Sequence, residues 1–140
     1  LAFFVAMAVE GCGSSPTRLE ANVTATQDVN KEAGGHPLPI VVRIYELKTA
    51  GSFQSADFFS LYDHEDATLG GDLLAREELN LRPGEQLRIE RATDPDAQYV
   101  GVLGAYRDID NAIWRATHGL QRGKTNKLQI ELGPSSVSIR

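Results

Sequence analysis

Cysteine is almost absent from this chain, because Cys12 is the only one among 140 residues. A disulfide needs two thiols, so a scaffold held together by internal disulfides is excluded and packing must stabilise the fold. The composition is otherwise that of an ordinary globular protein, with 41% hydrophobic and 24% charged residues. At this length we expect a single domain.

Basic residues are in the minority, with 14 Lys and Arg against 19 Asp and Glu and a net charge of −5. Proteins that bind nucleic acid need clustered positive charge to displace counterions, so we expect no nucleic-acid partner. Long apolar runs are also missing, and none approaches the roughly 20 residues that span a bilayer. Any attachment to a membrane therefore depends on a terminus or a covalent lipid.

The amino terminus carries the pattern of an export signal. Residues 1–9 (LAFFVAMAV) are uniformly apolar, as in the hydrophobic region of a signal peptide. Cys12 follows almost at once, and the small and polar residues 13–17 are typical of a flexible tether. We therefore interpret residues 1–11 as the remnant of a signal peptide.

The position of Cys12 resembles that in a bacterial lipoprotein signal, which is cleaved before a Cys that already carries a diacylglyceryl group. Val9 and Gly11 fit this pattern, whereas Glu10 departs from it. The resemblance implies a covalent lipid on Cys12, a tether over residues 12–18 and, because Gly13 rather than Asp follows the Cys, sorting to the outer membrane. A buried free Cys after an ordinary signal peptide is the alternative.

The rest of the chain, residues 19–140, has mainly strand patterns. Residues 19–25 alternate between apolar and polar, residues 39–47 and 99–106 are apolar on both faces, and residues 127–132 alternate again. Between Phe53 and Leu74 the spacing becomes helical, with Ser55 as a candidate cap. About eight strands and this short helical insertion predict an all-β fold, a two-sheet β-sandwich.

A tight turn is predicted at Pro83-Gly84. The segments on either side, residues 77–81 and 86–91, both have strand patterns, with Leu87 and Ile89 expected to face inward. We therefore predict that these segments form an antiparallel hairpin.

Side chains that could perform chemistry are few. Residues 63–66 (Asp-His-Glu-Asp) could bind a metal or transfer protons, but adjacent spacing does not make side chains converge, so a solvated loop is favoured. Residues 123–125 (Gly-Lys-Thr) lack the earlier glycine of a phosphate-binding loop, so a hairpin turn is favoured there. The sequence provides no positive evidence for catalysis, a metal site or a cofactor other than the lipid.

Two segments are candidates for binding a protein. Residues 28–37 form a loop longer than a hairpin needs, in which Lys31, Glu32 and His36 offer polar contacts and Gly34 and Gly35 allow unusual backbone conformations. A mobile loop without a role is the alternative. The segments 106–108 and 114–115 also contain the aromatic residues and Arg that are common at interfaces, although packing of Tyr106 and Trp114 in the core is favoured.

Several longer motifs resemble one family, the TssJ (SciN-like) outer-membrane lipoproteins of type VI secretion systems. They follow Cys12 in order: PLPIVVRIYELK at 37–48, F-x-x-A-D-F at 53–58, L-G-x-D-L-L at 69–74, LNLRPGE at 79–85 and YVGVLGAYRDID-x-x-x-W-R at 99–115. The resemblance implies a transthyretin-like β-sandwich that faces the periplasm. Because the sequence contains no catalytic constellation, we expect an adaptor rather than an enzyme. The resemblance also implies binding to the periplasmic domain of the inner-membrane protein TssM, with the loop between the first two strands contributing, and a role in assembling the envelope complex.

A different class of function remains open from the sequence. The chain could be an envelope lipoprotein that binds a small ligand or acts as an enzyme. Such a protein would need a concave pocket with converging polar groups, for which His64 and Asp66 are the candidates.

Overall fold

The structure, a computed structural model, describes residues 15–140. The predicted signal remnant at 1–11 and the predicted lipidation site Cys12 lie outside the described residues. Within residues 15–140, no helix is both long and apolar enough to cross a membrane.

Eight strands and three short helices make up the described part of the chain. The strands are β1 (Arg18–Ala25), β2 (Ile40–Leu47), β3 (Leu73–Leu81), β4 (Gln86–Ala92), β5 (Tyr99–Gly104), β6 (Arg115–Gly119), β7 (Thr125–Leu132) and β8 (Val137–Ile139). The helices are α1 (Gly51–Ser55), α2 (Phe58–Asp63) and α3 (Glu65–Leu69), and single 3₁₀ turns cover Gly70–Asp72 and Ile109–Asn111. This confirms the predicted fold class.

The strands form two four-stranded sheets. Sheet 1 has the order β4-β1-β7-β8 and sheet 2 the order β3-β2-β5-β6. β1 and β7 are parallel, whereas the other neighbouring strands are antiparallel. The inner faces of the sheets form the main core, whose side chains include Leu19, Val23, Ile40, Val42, Ile44, Val100, Val102, Leu128, Ile130 and Leu132.

The helical insertion covers the outer face of sheet 2. Alternate residues of β2 therefore enter two different cores: Ile40, Val42 and Ile44 lie between the sheets, while Tyr45 and Leu47 pack against the helices. The second core also includes Phe53, Leu61, Leu69 and Leu103. Two buried faces explain why the sequence of β2 is apolar almost throughout.

The predicted limits of the helical insertion are close to the observed ones, but two details were wrong. Ser55 ends α1, and the residue that caps α2 is Asp57, whose carboxylate accepts a hydrogen bond of 2.9 Å from the backbone N–H of Ser60. This hydrogen bond and another from the Ser60 hydroxyl lower the pKa of Asp57. Leu73 and Leu74, which have helical spacing, are the first residues of β3.

The predicted hairpin at Pro83-Gly84 was also wrong. The turn exists, with Gly84 at φ 77°, but it carries the chain from one sheet to the other, so that Leu79 pairs with Val42 in sheet 2 and Leu87 pairs with Val23 in sheet 1. The physical reason lies at the end of β1. The backbone N–H of Ala25 donates to the carbonyl of Glu85, and the N–H of Gly84 donates to the carbonyl of Thr26, so the chain after the turn is bonded to sheet 1.

This crossing buries one side chain of each strand in the main core, Leu81 of β3 and Ile89 of β4. Leu87 lies on the same face as Ile89, as predicted, because it pairs with the buried Val23, but it is 36% exposed since it lies near the start of the edge strand β4.

A buried ion pair joins the two sheets near the edge formed by β3 and β4. Glu46 of β2 is only 2% exposed, and its carboxylate accepts hydrogen bonds from Arg91 Nε at 3.1 Å and from the backbone N–H of Asp94 at 2.6 Å. Arg91 also pairs with Glu77 of β3. A carboxylate so deeply buried needs these partners, because an unpaired charge in the interior is strongly unfavourable.

Arg91→Ala should therefore destabilise the domain strongly, because it leaves the Glu46 carboxylate buried without its cation. We expect the free energy of unfolding to fall by about 3 kcal/mol. Arg88→Ala is the matched control, since Arg88 lies on the same strand but forms exposed ion pairs with Glu20 and Glu90, so its loss should lower the free energy of unfolding far less. Urea unfolding of both variants measures the difference, and equal losses would contradict this role of Arg91.

Candidate partner-binding surface

The predicted binding loop lies at the end of the sandwich opposite the tether. β1 begins at Arg18, directly after the first described residues, and ends at Ala25, where the loop to β2 starts. Eight residues of extended strand span about 26 Å. The loop and the tether are therefore separated by the full length of the sandwich.

Asn30 fixes the base of this loop. It is 6% exposed and has a positive φ of 52°, a conformation that Asn tolerates better than most residues. Its side-chain Nδ2 donates to the carbonyl of Pro39 at 3.0 Å, and its Oδ1 accepts from the backbone N–H of Arg107 at 2.8 Å. Its own N–H donates to the carbonyl of Gly133 at 3.3 Å. One residue thus connects the β1–β2 loop to the loops after β5 and β7.

The five residues proposed from the sequence lie together on the outer part of the loop. Lys31 and His36 are exposed, while Glu32 is partly buried and pairs with Arg107, its Oε1 lying 3.3 Å from Nε. The Gly35 N–H donates to the Glu32 carbonyl at 2.9 Å, which closes a turn over residues 32–35. Gly34 has φ 74°, and the space where a Cβ would stand is open, so its backbone conformation alone favours glycine.

A cavity of about 200 Å³ lies beside this turn, where three loops meet. The β1–β2 loop contributes Lys31 and Glu32, the loop after β5 contributes Tyr106, Asp108 and Asn111, and the loop after β7 contributes Pro134 and Ser135. The sequence did not predict this cavity, because its walls come from segments far apart along the chain. It extends the candidate surface beyond the β1–β2 loop.

The second candidate segment has a largely structural role. Tyr106 is 5% exposed and belongs to the main core, and burial raises its pKa. Trp114 is partly buried and meets Phe58 edge to face, with ring centroids 5.3 Å apart. Arg115 lies over the Trp114 ring and donates hydrogen bonds to the carbonyls of Phe53 and Ala56 at the end of α1. Core packing, the interpretation favoured from the sequence, agrees with these contacts.

The segment at 63–66 is not the solvated loop that we predicted. Asp63 ends α2, and Glu65 and Asp66 form the first turn of α3. The Glu65 carboxylate is bound by Arg43 at 3.2 Å, by Arg76 and by the Tyr45 hydroxyl at 2.9 Å. Among the described residues, no group of three or more His, Cys, Asp or Glu side chains is arranged to hold a metal ion.

His64 and Asp66, the candidates for a small-ligand pocket, border an open depression of about 450 Å³ that also includes Arg43 and Glu65. Glu65 already has three partners there, so its charge is compensated within the protein. This arrangement stabilises the attachment of the helices to sheet 2, and the geometry favours that structural role over a ligand site.

Asn30→Ala should destabilise the domain, because it removes both side-chain hydrogen bonds and leaves a residue poorly suited to positive φ. We expect the free energy of unfolding to fall by about 2 kcal/mol and the amides of residues 31–36 to exchange faster with solvent. Lys31→Ala is the control, since the exposed side chain should contribute less than about 0.5 kcal/mol. Unfolding together with hydrogen exchange tests this, and unchanged exchange in Asn30→Ala would contradict it.

Comparison with known proteins identifies relatives over most of the chain. Residues 17–135 match the model of the family described as type VI secretion lipoproteins, with VasD, EvfM and TssJ. Among curated proteins, no sequence matches the chain.

Solved structures with the same fold include the following three from type VI secretion systems. The T6SS lipoprotein TssJ1 from Pseudomonas aeruginosa is 41% identical with a TM-score of 0.86, and the alignment covers 89% of this chain and 95% of that one. A chain in a structure described as the T6SS protein TssM C-terminal domain (869-1107) from EAEC is 30% identical, with a TM-score of 0.72 and coverages of 87% and 99%. A chain in a type VI membrane complex is 29% identical, with a TM-score of 0.78 and coverages of 90% and 99%.

The match to the family model includes every strand except the last, and the identity to TssJ1 extends over nearly all of both chains. The sequence motifs between residues 37 and 115 and the two-sheet fold agree with these matches. The chain belongs to the TssJ family of type VI secretion lipoproteins.

Proposed function

We propose that this chain is acylated at Cys12, is anchored in the outer membrane with its domain in the periplasm, and binds the periplasmic domain of TssM. In this role it is a non-enzymatic adaptor that helps to assemble the envelope complex of the secretion system. Membership of the lipoprotein family supports the envelope location. The contact with TssM is assigned to the loop between β1 and β2, including Lys31, Glu32, Gly34, Gly35 and His36.

The observation that carries this proposal is the placement of the loop and the tether at opposite ends of β1. A lipid at the tether would hold that end of the domain at the membrane. The loop, with its base fixed by Asn30, would then face away from the membrane by about 26 Å. A protein that approaches from the periplasm would meet this end first.

The relative described as a TssM C-terminal domain provides further support. The matched chain is about as long as this one, since 87% of this chain covers 99% of it. The residue range given for the TssM domain, 869–1107, is much longer. We interpret the matched chain as a TssJ-like component that accompanies the TssM domain in that structure, which is the kind of association proposed here.

Cys12→Ser tests the lipid anchor. The variant should fold normally, because Cys12 precedes every described strand, but it should move from the membrane fraction to the soluble fraction. Fractionation with immunoblotting and mass spectrometry of the amino-terminal peptide measure the change. Ser14→Ala is the control and should remain in the membrane fraction. Acylation at this residue would be contradicted if Cys12→Ser stayed in the membrane fraction and its amino-terminal peptide differed in mass from that of the unsubstituted protein only by the change from Cys to Ser.

A shortened loop tests the contact with TssM. Replacing residues 32–35 with two glycines removes the exposed turn but retains Asn30 and its hydrogen bonds. We expect the affinity for the TssM periplasmic domain to fall at least tenfold, about 1.4 kcal/mol, without a lower melting temperature. Arg122→Ala, at the tether end of the domain, should bind normally. Unchanged affinity of the shortened variant in a calorimetric titration would place the interface elsewhere.

A further inference from the structure

The link between Cys12 and the domain is too short to let the domain move far from a membrane that holds Cys12. Thr17 is already fixed in the fold, since its carbonyl accepts a hydrogen bond of 2.8 Å from the N–H of Thr93 and its hydroxyl accepts one of 2.9 Å from the N–H of Gly123. Only five residue steps separate Cys12 from Thr17, and a fully extended chain of that length reaches at most about 17 Å. The end of the sandwich where β1 begins, here called the tether end, would therefore stay close to the lipid headgroups.

Three exposed cations surround the point where the chain enters the tether end. Arg18 is the first residue of β1, and its N–H donates to the carbonyl of Lys124 at 3.0 Å. Arg122 lies in the same turn as Lys124 and donates to the carbonyl of Pro95 at 3.2 Å, while its side chain is 56% exposed. The side chains of Arg18 and Lys124 are exposed as well. The fold thus brings together three positive charges from two distant segments of the chain.

Negative charge near these cations does not cancel them. Asp94 and Asp96, in the loop between β4 and β5, are the carboxylates on this side of the tether end. The contact between Asp96 and Arg122 is loose, with Oδ1 3.9 Å from Nη2, and one oxygen of Asp94 already accepts the N–H of Asp96 at 2.9 Å. Among the described residues, Arg18 and Lys124 have no ion-pair partner. The point of chain entry is therefore positive on balance in a protein whose net charge is −5.

The opposite end of the sandwich has the other sign. At the tether end, Lys48 after β2 and Asp72 before β3 offset each other and leave the positive balance unchanged. An anionic membrane surface would attract the tether end and repel the opposite end, and each effect is confined to roughly 8 Å at physiological ionic strength. In the loops of the opposite end, the cations are Lys31, Arg82 and Arg107, and the carboxylates are Asp28, Glu32, Glu85, Asp108 and Asp110.

A depression of about 510 Å³ opens beside the point of chain entry. Pro16, Thr93, Pro95 and Arg122 contribute to its walls. The planar guanidinium of an arginine is suited to bidentate hydrogen bonds with phosphate oxygens. The depression therefore offers a phosphate group a place next to Arg122, on the side of the domain that faces the anchor.

We infer that the tether end, through Arg18, Arg122 and Lys124, binds the phosphate groups of lipid headgroups. This contact orients the domain, so that the loop between β1 and β2 points away from the membrane. The inference rests on the proposed acylation of Cys12 and adds a second contact with the same membrane. Each cation contributes little alone, but the anchor holds all three at the membrane surface, where weak contacts act together.

Site-specific fluorescence tests the orientation. Cys12 is the only cysteine and would be acylated, so a dye can be attached selectively after Gln98→Cys at the tether end or His36→Cys at the opposite end. Both residues are exposed, and β1 separates the two ends by about 26 Å. The acylated protein is reconstituted into vesicles of phosphatidylethanolamine and phosphatidylglycerol that carry a quencher on the headgroup. The dye at position 98 should be quenched at least threefold more than the dye at position 36, and equal quenching would overturn the inference.

The pair of substitutions Arg122→Gln and Lys124→Gln tests the cations. Quenching at position 98 should fall by at least half, and Lys124→Gln alone should lower it in the same direction. The matched control is the pair Lys31→Gln and Arg82→Gln, which removes the same charge from exposed residues at the opposite end and should leave the quenching unchanged. The melting temperature of each variant checks that it is folded. Equal effects of the two pairs would show that the cations of the tether end do not bind the headgroups.

These measurements separate the membrane contact from the proposed function. If the acylated protein binds the TssM periplasmic domain but the dyes at both positions are quenched equally, the membrane contact is wrong and the proposed function stands. If Cys12 carries no lipid, both are wrong.

Discussion

The apolar face of β1 is the contact on which the rest of this structure depends. Leu19, Ala21, Val23 and Ala25 are all at most 1% exposed, and they face sheet 2 across the main core. β1 also lies inside sheet 1, with β4 on one side and β7 on the other. The chain enters β1 from the tether and leaves it at the candidate binding loop. Burial of this one strand therefore also determines that the tether and the loop lie at opposite ends of the domain.

The parallel pairing of β1 with β7 has a consequence for the binding surface. Two parallel strands end at the same edge of a sheet, so the loops after Ala25 and Leu132 emerge side by side. The backbone of Asn30 can therefore reach the carbonyl of Gly133. An antiparallel pair would have placed these loops at opposite ends, and the three-loop cavity could not have formed there.

The strands were predictable because their signals are local. The alternation of apolar and polar residues along 19–25 and 127–132 indicates one buried face in each strand. The sequence of β2 is apolar on both faces and indicates that both are buried. The pairing of strands is not local, which explains the error at Pro83-Gly84: the residues of a turn specify a reversal but not the sheet that the chain joins next. The sheet that the chain joins after this turn is determined by hydrogen bonds with the end of β1, which lies about 60 residues earlier in the chain.

In the candidate binding surface, too, some features could be predicted from neighbouring residues, whereas others depend on residues far apart in the sequence. Residues 31–36 could be proposed from loop length and glycine content alone. The roles of Asn30 and Tyr106 could not be predicted in this way. Asn30 bonds to Arg107, which is 77 positions away in the sequence. Nothing in the sequence around Tyr106 predicts that its hydroxyl has no hydrogen-bond partner among the described residues. An Asn at the start of a glycine-containing loop is a weak signal for positive φ, and it gains meaning only when the three loops are seen together.

In the proposed arrangement, the contact with TssM does not need high intrinsic affinity. A lipid anchor and a protein contact on one rigid body make the second attachment effectively intramolecular. The high local concentration of the partner then compensates for a lower intrinsic affinity. The candidate surface fits this condition, because it combines one small cavity with exposed ion pairs such as Glu32–Arg107, which contribute little individually. Discrimination between partners would then depend mainly on the shape of the three loops, whose backbones Asn30 joins by hydrogen bonds.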